Sequence, residues 1–189
     1  MEAIETLMNE HRVIEGVLDA LVAFVDDAGR RGATDKAGLA RFCTFLREFA
    51  DGQHHAKEED VLFAAMVRHG FPERAGPVAV MRDEHERGRA LVRRLAAAAA
   101  LPGAWDDGDR EAIAEAAHAH ARLLRAHIQK EDGVLYPLAE QHLPAAALAG
   151  VDAACAAADA ARGEGPARLL ALAEELCALA APPAARRTA

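Results

Sequence analysis

Residues 54 to 63 read HHAKEEDVLF, two histidines and three carboxylates directly ahead of an apolar run. Imidazole and carboxylate together suit iron, manganese or zinc. The four-residue step from His54 to Glu58 turns only ~40° around a helix, so one face presents both. A single HxxxE is ordinarily a solvated pair, and the pattern gains weight only from its company. HIQKEDGVLY, residues 127 to 136, lies over the first stretch, matching His54, Lys57, Glu58, Glu59, Val61, Leu62 and Phe63 with His127, Lys130, Glu131, Asp132, Val134, Leu135 and Tyr136. Upstream, NEHRVIEGVL lies over DEHERGRALV and pairs Glu10 and His11 with Glu84 and His85. Each half reads EH, a turn, then HxxKE.

Helices must position these residues. Alanine and leucine dominate, β-branched residues are sparse, and the chain has one Trp and one Tyr, so the local preference is helical and the expected class is all-α. Ile4, Leu7, Ile14, Leu18, Leu21 and Val25 form the stripe of a first helix that AGRRGATD ends. A second begins after Thr34 or Asp35 and stops at Gly70, with Gly52 a weak point inside it. A third follows FPERAGP and turns Val78, Met81, Leu91 or Val92, and Leu95 inward until LPGAWDDGD. A fourth carries Ile113, Ala117, Leu124, Val134 and Leu138 on one face up to Pro144. The remainder reads as two shorter helices hinged at Gly163 and Gly165, then a frayed tail, AARRTA. The expected architecture is an up-down-up-down four-helix bundle over residues 1–142, with a C-terminal helical extension and tail over 143–189.

Polar residues interrupt the inward stripes. His11 takes the step between Leu7 and Ile14, His85 lies on the face from Met81 to Val92, and the fourth stripe includes His120, His127 and Glu131. From His11 to Gly32, inside the first turn, is 21 residues, and from Gly32 to His54 is 22. From His85 to Asp106 and from Asp106 to His127 is 21 each. With equal rise going out and coming back, His11, His54, Glu58, His85, His127 and Glu131 return to one layer. Two buried carboxylates there need neutralising, and two metal ions bridged by Glu58 and Glu131 would do so. No cysteine reaches the layer, which argues against a thiolate site.

The order His, HxxxE, His, HxxxE on successive helices resembles the hemerythrin-like, or HHE cation-binding, domain over roughly residues 1 to 142. The resemblance implies a non-haem di-iron centre, two irons bridged by oxo, hydroxo or water, with those six residues as ligands. It implies binding or sensing of oxygen, nitric oxide or redox equivalents, or else peroxidase-like or nitric oxide-consuming chemistry, iron storage or repair of iron centres. A diatomic ligand or peroxide, and a redox protein, are the partners that go with it. Oxygen-carrying members place HxxxH on the third helix, whereas here Arg89 follows His85, so that fifth histidine is missing. They also use an aspartate where Asp132 stands, but the repeat and the smaller angular offset favour Glu131 as the bridge. The expectation is a more open metal pair, suited to reaction over reversible carriage.

Other residues receive plainer readings. His55 is matched by Ile128 in the repeat and is expected outside the ligand set or as an occasional extra ligand. His120, about 10.5 Å along the helix from His127, is a core or proton-relay histidine. His118 with Glu115 lies off the apolar face, and His69 and His142 sit near helix ends. Glu10 and Glu84 either orient the neighbouring histidines or face solvent. A net charge of -8 and a pI near 5.6, with no basic stripe, exclude nucleic acid and anionic membranes as partners. Three cysteines without CxxC spacing, no signal-like start and no apolar run of about 20 residues point to a cytoplasmic protein with free thiols.

Overall fold

The computed structural model describes residues 1 to 180, and the AARRTA segment lies outside them. Six helices follow in order: α1, Glu2–Arg31; α2, residues 36–68; α3, Gly76–Ala99; α4, residues 107–142; α5, Ala145–Ala161; and α6, Gly165–Ala180. There is no strand among the described residues.

The helix ends follow from local chemistry. Gly32, with φ 62°, ends α1 in the left-handed conformation and donates its N–H back to Ala28 and Gly29. The Asp35 carboxylate accepts the Gly38 N–H at 2.8 Å and starts α2. Asp106 and Asp109 cap α4 reciprocally, each accepting the other's backbone N–H. Trp105 is buried in the preceding turn and donates from Nε1 to the Ala98 carbonyl at 3.0 Å, tying the end of α3 to the start of α4.

Neither α2 nor α4 is uniform. Leu46–His55 and Glu58–Phe63 in α2, and Glu131–Leu135 in α4, are wound as π-helix. A π turn bonds i to i+5 and so absorbs an extra residue, which shifts everything beyond it by about 100° relative to a continuous α-helix. Gly52 therefore sits inside a continuous helix and is not a break. The same shift corrects the fourth stripe. Val134 is 52% exposed and Leu138 only half-buried, whereas Leu135 and Ala139, each one position later, are buried.

Packing places the site between two apolar cores. α3 packs on α2 and α4, α4 on α1, and α6 on α1 and α2. One core gathers Ile14, Leu18, Phe42, Leu95 and Ile128 with Leu169 and Leu176 of α6. The other gathers Leu7, Leu62, Phe63, Met81 and Leu135 with Val151 and Cys155 of α5. Along α1, His11 lies between Leu7 of one core and Ile14 of the other, and along α4 Glu131 lies between Leu135 and Ile128. The polar layer is thus sealed at both ends. No helix of the described residues is long and apolar enough to cross a membrane.

Candidate metal centre

All six residues expected in the layer meet there. His11, His54, Glu58, His85, His127 and Glu131 are each at most 1% exposed. They divide, with one addition, into two groups of closely approaching donor atoms: His11, His54, Glu58 and Glu131 in one, and His55, Glu58, His85 and His127 in the other. Glu58 belongs to both. Its Oε2 lies 3.5 Å from both His54 Nε2 and His85 Nε2. Glu131 also faces both ways, with Oε2 3.3 Å from His11 Nε2 and Oε1 3.1 Å from His127 Nε2.

His55, expected outside the ligand set or as an occasional extra ligand, takes the second of these places. It stands inside the second group, its ring stacked on that of His85 at 3.7 Å between centroids. The reason is the π-helical winding of Leu46–His55, which lets two consecutive histidines both reach the interior. A fifth histidine is therefore present, supplied by α2 and not by α3.

Each of the five rings is held from behind by a different carboxylate. His11 Nδ1 donates to Asp132 at 2.7 Å, His54 to Glu10 at 2.9 Å, His55 to Asp51 at 3.4 Å, His85 to Glu59 at 2.6 Å and His127 to Glu84 at 2.9 Å. A carboxylate only accepts, so the proton sits on Nδ1 and the Nε2 lone pair points into the layer. Glu10 and Glu84 do orient histidines, but on the facing helix and not beside them. Asp132, the alternative bridge, is turned away to grip His11 and Arg12.

The repeat explains the lysine of HxxKE. Lys57, 2% exposed, contacts Glu10 at 2.6 Å, and Lys130 pairs with Glu84, so each motif carries the cation that steadies its own histidine's carboxylate. The match ends at Phe63 and Tyr136. Phe63 stacks on His85, whereas the buried Tyr136 hydroxyl donates to Glu58 Oε1 at 2.7 Å and lies 3.4 Å from His11 Nε2. Sequence reasoning missed Tyr136 as a site residue. Its signal was the replacement of phenylalanine by the chain's one tyrosine within the repeat.

The electrostatics show what the layer requires. Burial, and the charge of Glu131 beside it, push the Glu58 carboxyl well above the ordinary carboxylate range. Burial acts on Glu131 in the same sense, but His127 and His11 hold it well below that range. Burial lowers His54 to about 4 and His55 to about 3. Burial would raise Glu10, yet His54 and Lys57 hold it at about 2. Glu58 Oε2, both Glu131 oxygens and His55 Nε2 are buried without a hydrogen-bond partner. These unpaired lone pairs of α2 and α4 converge with nothing to receive them, the condition a cation relieves.

The remaining histidines lie elsewhere. His120 is buried but joins neither group. His118 pairs with Asp26 at 2.8 Å on the surface side. His69 caps the end of α2, and His142, in the last turn of α4, bonds the Leu138 carbonyl at 2.9 Å.

Comparison with known proteins supplies the family. Uncharacterized proteins of Mycobacterium bovis and of two strains of Mycobacterium tuberculosis are 29% identical over 136 residues, which is 70% of this chain and 51% of theirs. The chain thus spans about half the length of the curated relatives it matches. No solved structure matches it. The model of the hemerythrin HHE cation-binding domain matches residues 2–139, a span that contains every histidine, glutamate and orienting carboxylate of the layer, and the chain belongs to that family.

Proposed function

We propose that the chain is a non-haem di-iron protein that binds a small ligand of the oxygen or nitric oxide type and reports its presence, or a change of redox state, to a protein partner. The observation that carries this reading is the unequal division of donors: His11 and His54 on one side, His55, His85 and His127 on the other, with Glu58 shared and Glu131 facing both. Two imidazoles leave more of a metal's coordination open than three do, so an incoming ligand is directed to the His11 side. This differs from the symmetric, doubly open pair that four histidines imply, and it favours binding at one metal. Iron bound here would supply redox chemistry and an open position for that ligand. The chain supplies fixed imidazole orientation, a water-poor layer between two cores, and a hydroxyl, Tyr136, at the more open side.

The test is the metal content and electronic spectrum of aerobically purified protein, followed by rapid mixing of the reduced form with oxygen and with nitric oxide. Two irons per chain and a saturable adduct are expected. Stoichiometric zinc and a colourless protein would overturn the reading. A second reading, peroxidase-like or nitric oxide-consuming catalysis, is favoured by the Tyr136 proton held 2.7 Å from Glu58. Turnover of peroxide by native protein that falls in Tyr136→Phe would select it.

A further inference from the structure

Beside the layer, on the side of His55, α2, α3 and α4 enclose a cavity of about 150 Å³. Its walls are Leu46, Ala50, Val92 and Leu124, and His55 and His120 both line it. Gly88 lines it as well, and a Cβ added there would sit in ordinary contact, 3.8 Å from His120 Nε2. Arg89 is committed to Asp51, Glu59 and Glu86, and the exposed Arg47 and Arg93 add positive charge at the mouth.

His120 is the unexplained group. The residue is 4% exposed and its Nδ1 has no hydrogen-bond partner. A metal in the layer would satisfy His55 Nε2, but His120 belongs to neither donor group and gains nothing from it. A buried polar nitrogen left unpaired costs about 1–3 kcal/mol, and the cavity that the ring lines has room for a partner. We infer that this cavity is a binding site for a small monoanion of formate or nitrite size, drawn in by Arg47 and Arg93 and hydrogen-bonded by His120. The two carboxylates that also line the cavity do not repel it strongly, because Asp51 is paired with Arg89 and His55, and Glu84 with Lys130 and His127. The site abuts the three-histidine side and is separate from the more open position by His11. In that placement it rests on the reading above.

Calorimetric titration of the iron-loaded protein with sodium formate in chloride-free buffer tests the inference, with metal content and unliganded spectrum measured first. A saturable single site is expected. Gly88→Leu, which fills the cavity, should abolish it, and His120→Phe, which keeps the shape and removes the nitrogens, should weaken it by about tenfold, the equivalent of one hydrogen bond. Arg93→Ala, on the exposed rim, should weaken it less and flatten its salt dependence. Azide added separately should change the metal spectrum of Gly88→Leu as it does that of native protein. Formate binding that survives Gly88→Leu, or native protein that takes up no formate, would overturn the cavity site, while absence of iron would instead overturn the di-iron reading.

Discussion

Every imidazole facing the layer is doubly employed: Nδ1 is spent on a carboxylate and Nε2 is left for a cation. The inner and outer carboxylates therefore differ in their expected effects. Glu131→Ala should release metal from both positions, because its two oxygens face both groups. Asp132→Ala should retain both metals but bind them about 10–100-fold more weakly, since it frees only the orientation of His11. Chelator competition distinguishes these outcomes, and equal loss in both variants would make Asp132 a ligand. Acid should act on the metal-free protein with a definite sign. His54, His55 and His120 are lowered to about 4, 3 and 4 by burial, so between those values and the ordinary 6.5 the unfolded chain takes up protons that the native rings refuse. Their contribution is complete above pH 6.5 and is lost as pH falls toward 4. His85 is lowered too, while His11 and His127 are raised and oppose the trend, two rings against four. The melting temperature of metal-free protein should fall from pH 7 to pH 4, and a flat profile would mean that the rings are hydrated.

At the scale of elements, the π turns determine which side chains enter the layer. In α4 the turn Glu131–Leu135 carries the inward face one residue forward, burying Leu135 and Tyr136 where a plain α-helix would bury Val134. Deleting the exposed Gly133 should let that turn relax to α-helix with Leu135 and Tyr136 still facing inward, because the lost residue and the lost extra residue of the π turn cancel. The expected result is a helical protein, by circular dichroism, that keeps its metal binding at the His11 side. Loss of metal in the deletion variant would show that the π winding itself, and not only the rotation it sets, is needed at the site.

For the whole molecule, the C-terminal helices are part of the support of the centre. Asp159 on α5 contacts Lys57 at 3.0 Å, Lys57 contacts Glu10, and Glu10 orients His54, so the chain of charge runs from α5 through α2 and α1 to the layer. Breaking it in the middle leaves Glu10 buried without its cation. Lys57→Met should therefore cost about 3–5 kcal/mol in denaturant unfolding. The matching Lys130→Met, whose lysine is 40% exposed, should cost about 1 kcal/mol or less. Equal losses would remove the distinction between the two halves. Chelation should lower the melting temperature of the native protein, because bound cations favour the folded state over the unfolded chain by mass action.

Much of this was legible before any coordinates. Helical periodicity and the Gly32 and Asp35 signals located the first helices, and residue counts across the two turns brought four histidines and two glutamates to one height, because rise per residue is nearly constant along a helix. What a count along the chain does not carry is rotation. Whether His55 and Tyr136 face inward depends on hydrogen bonding that slips from i+4 to i+5, and such a slip is stabilised by what the side chains then meet: His85 for one, Glu58 and His11 for the other. Likewise the sequence shows Glu10 next to His11, but only the crossing of α1 past α2 makes it the partner of His54. The donor types and their level were local properties of sequence and spacing. The fifth histidine, the pairing of each ring with its carboxylate and the cavity at His120 are decided by packing between helices.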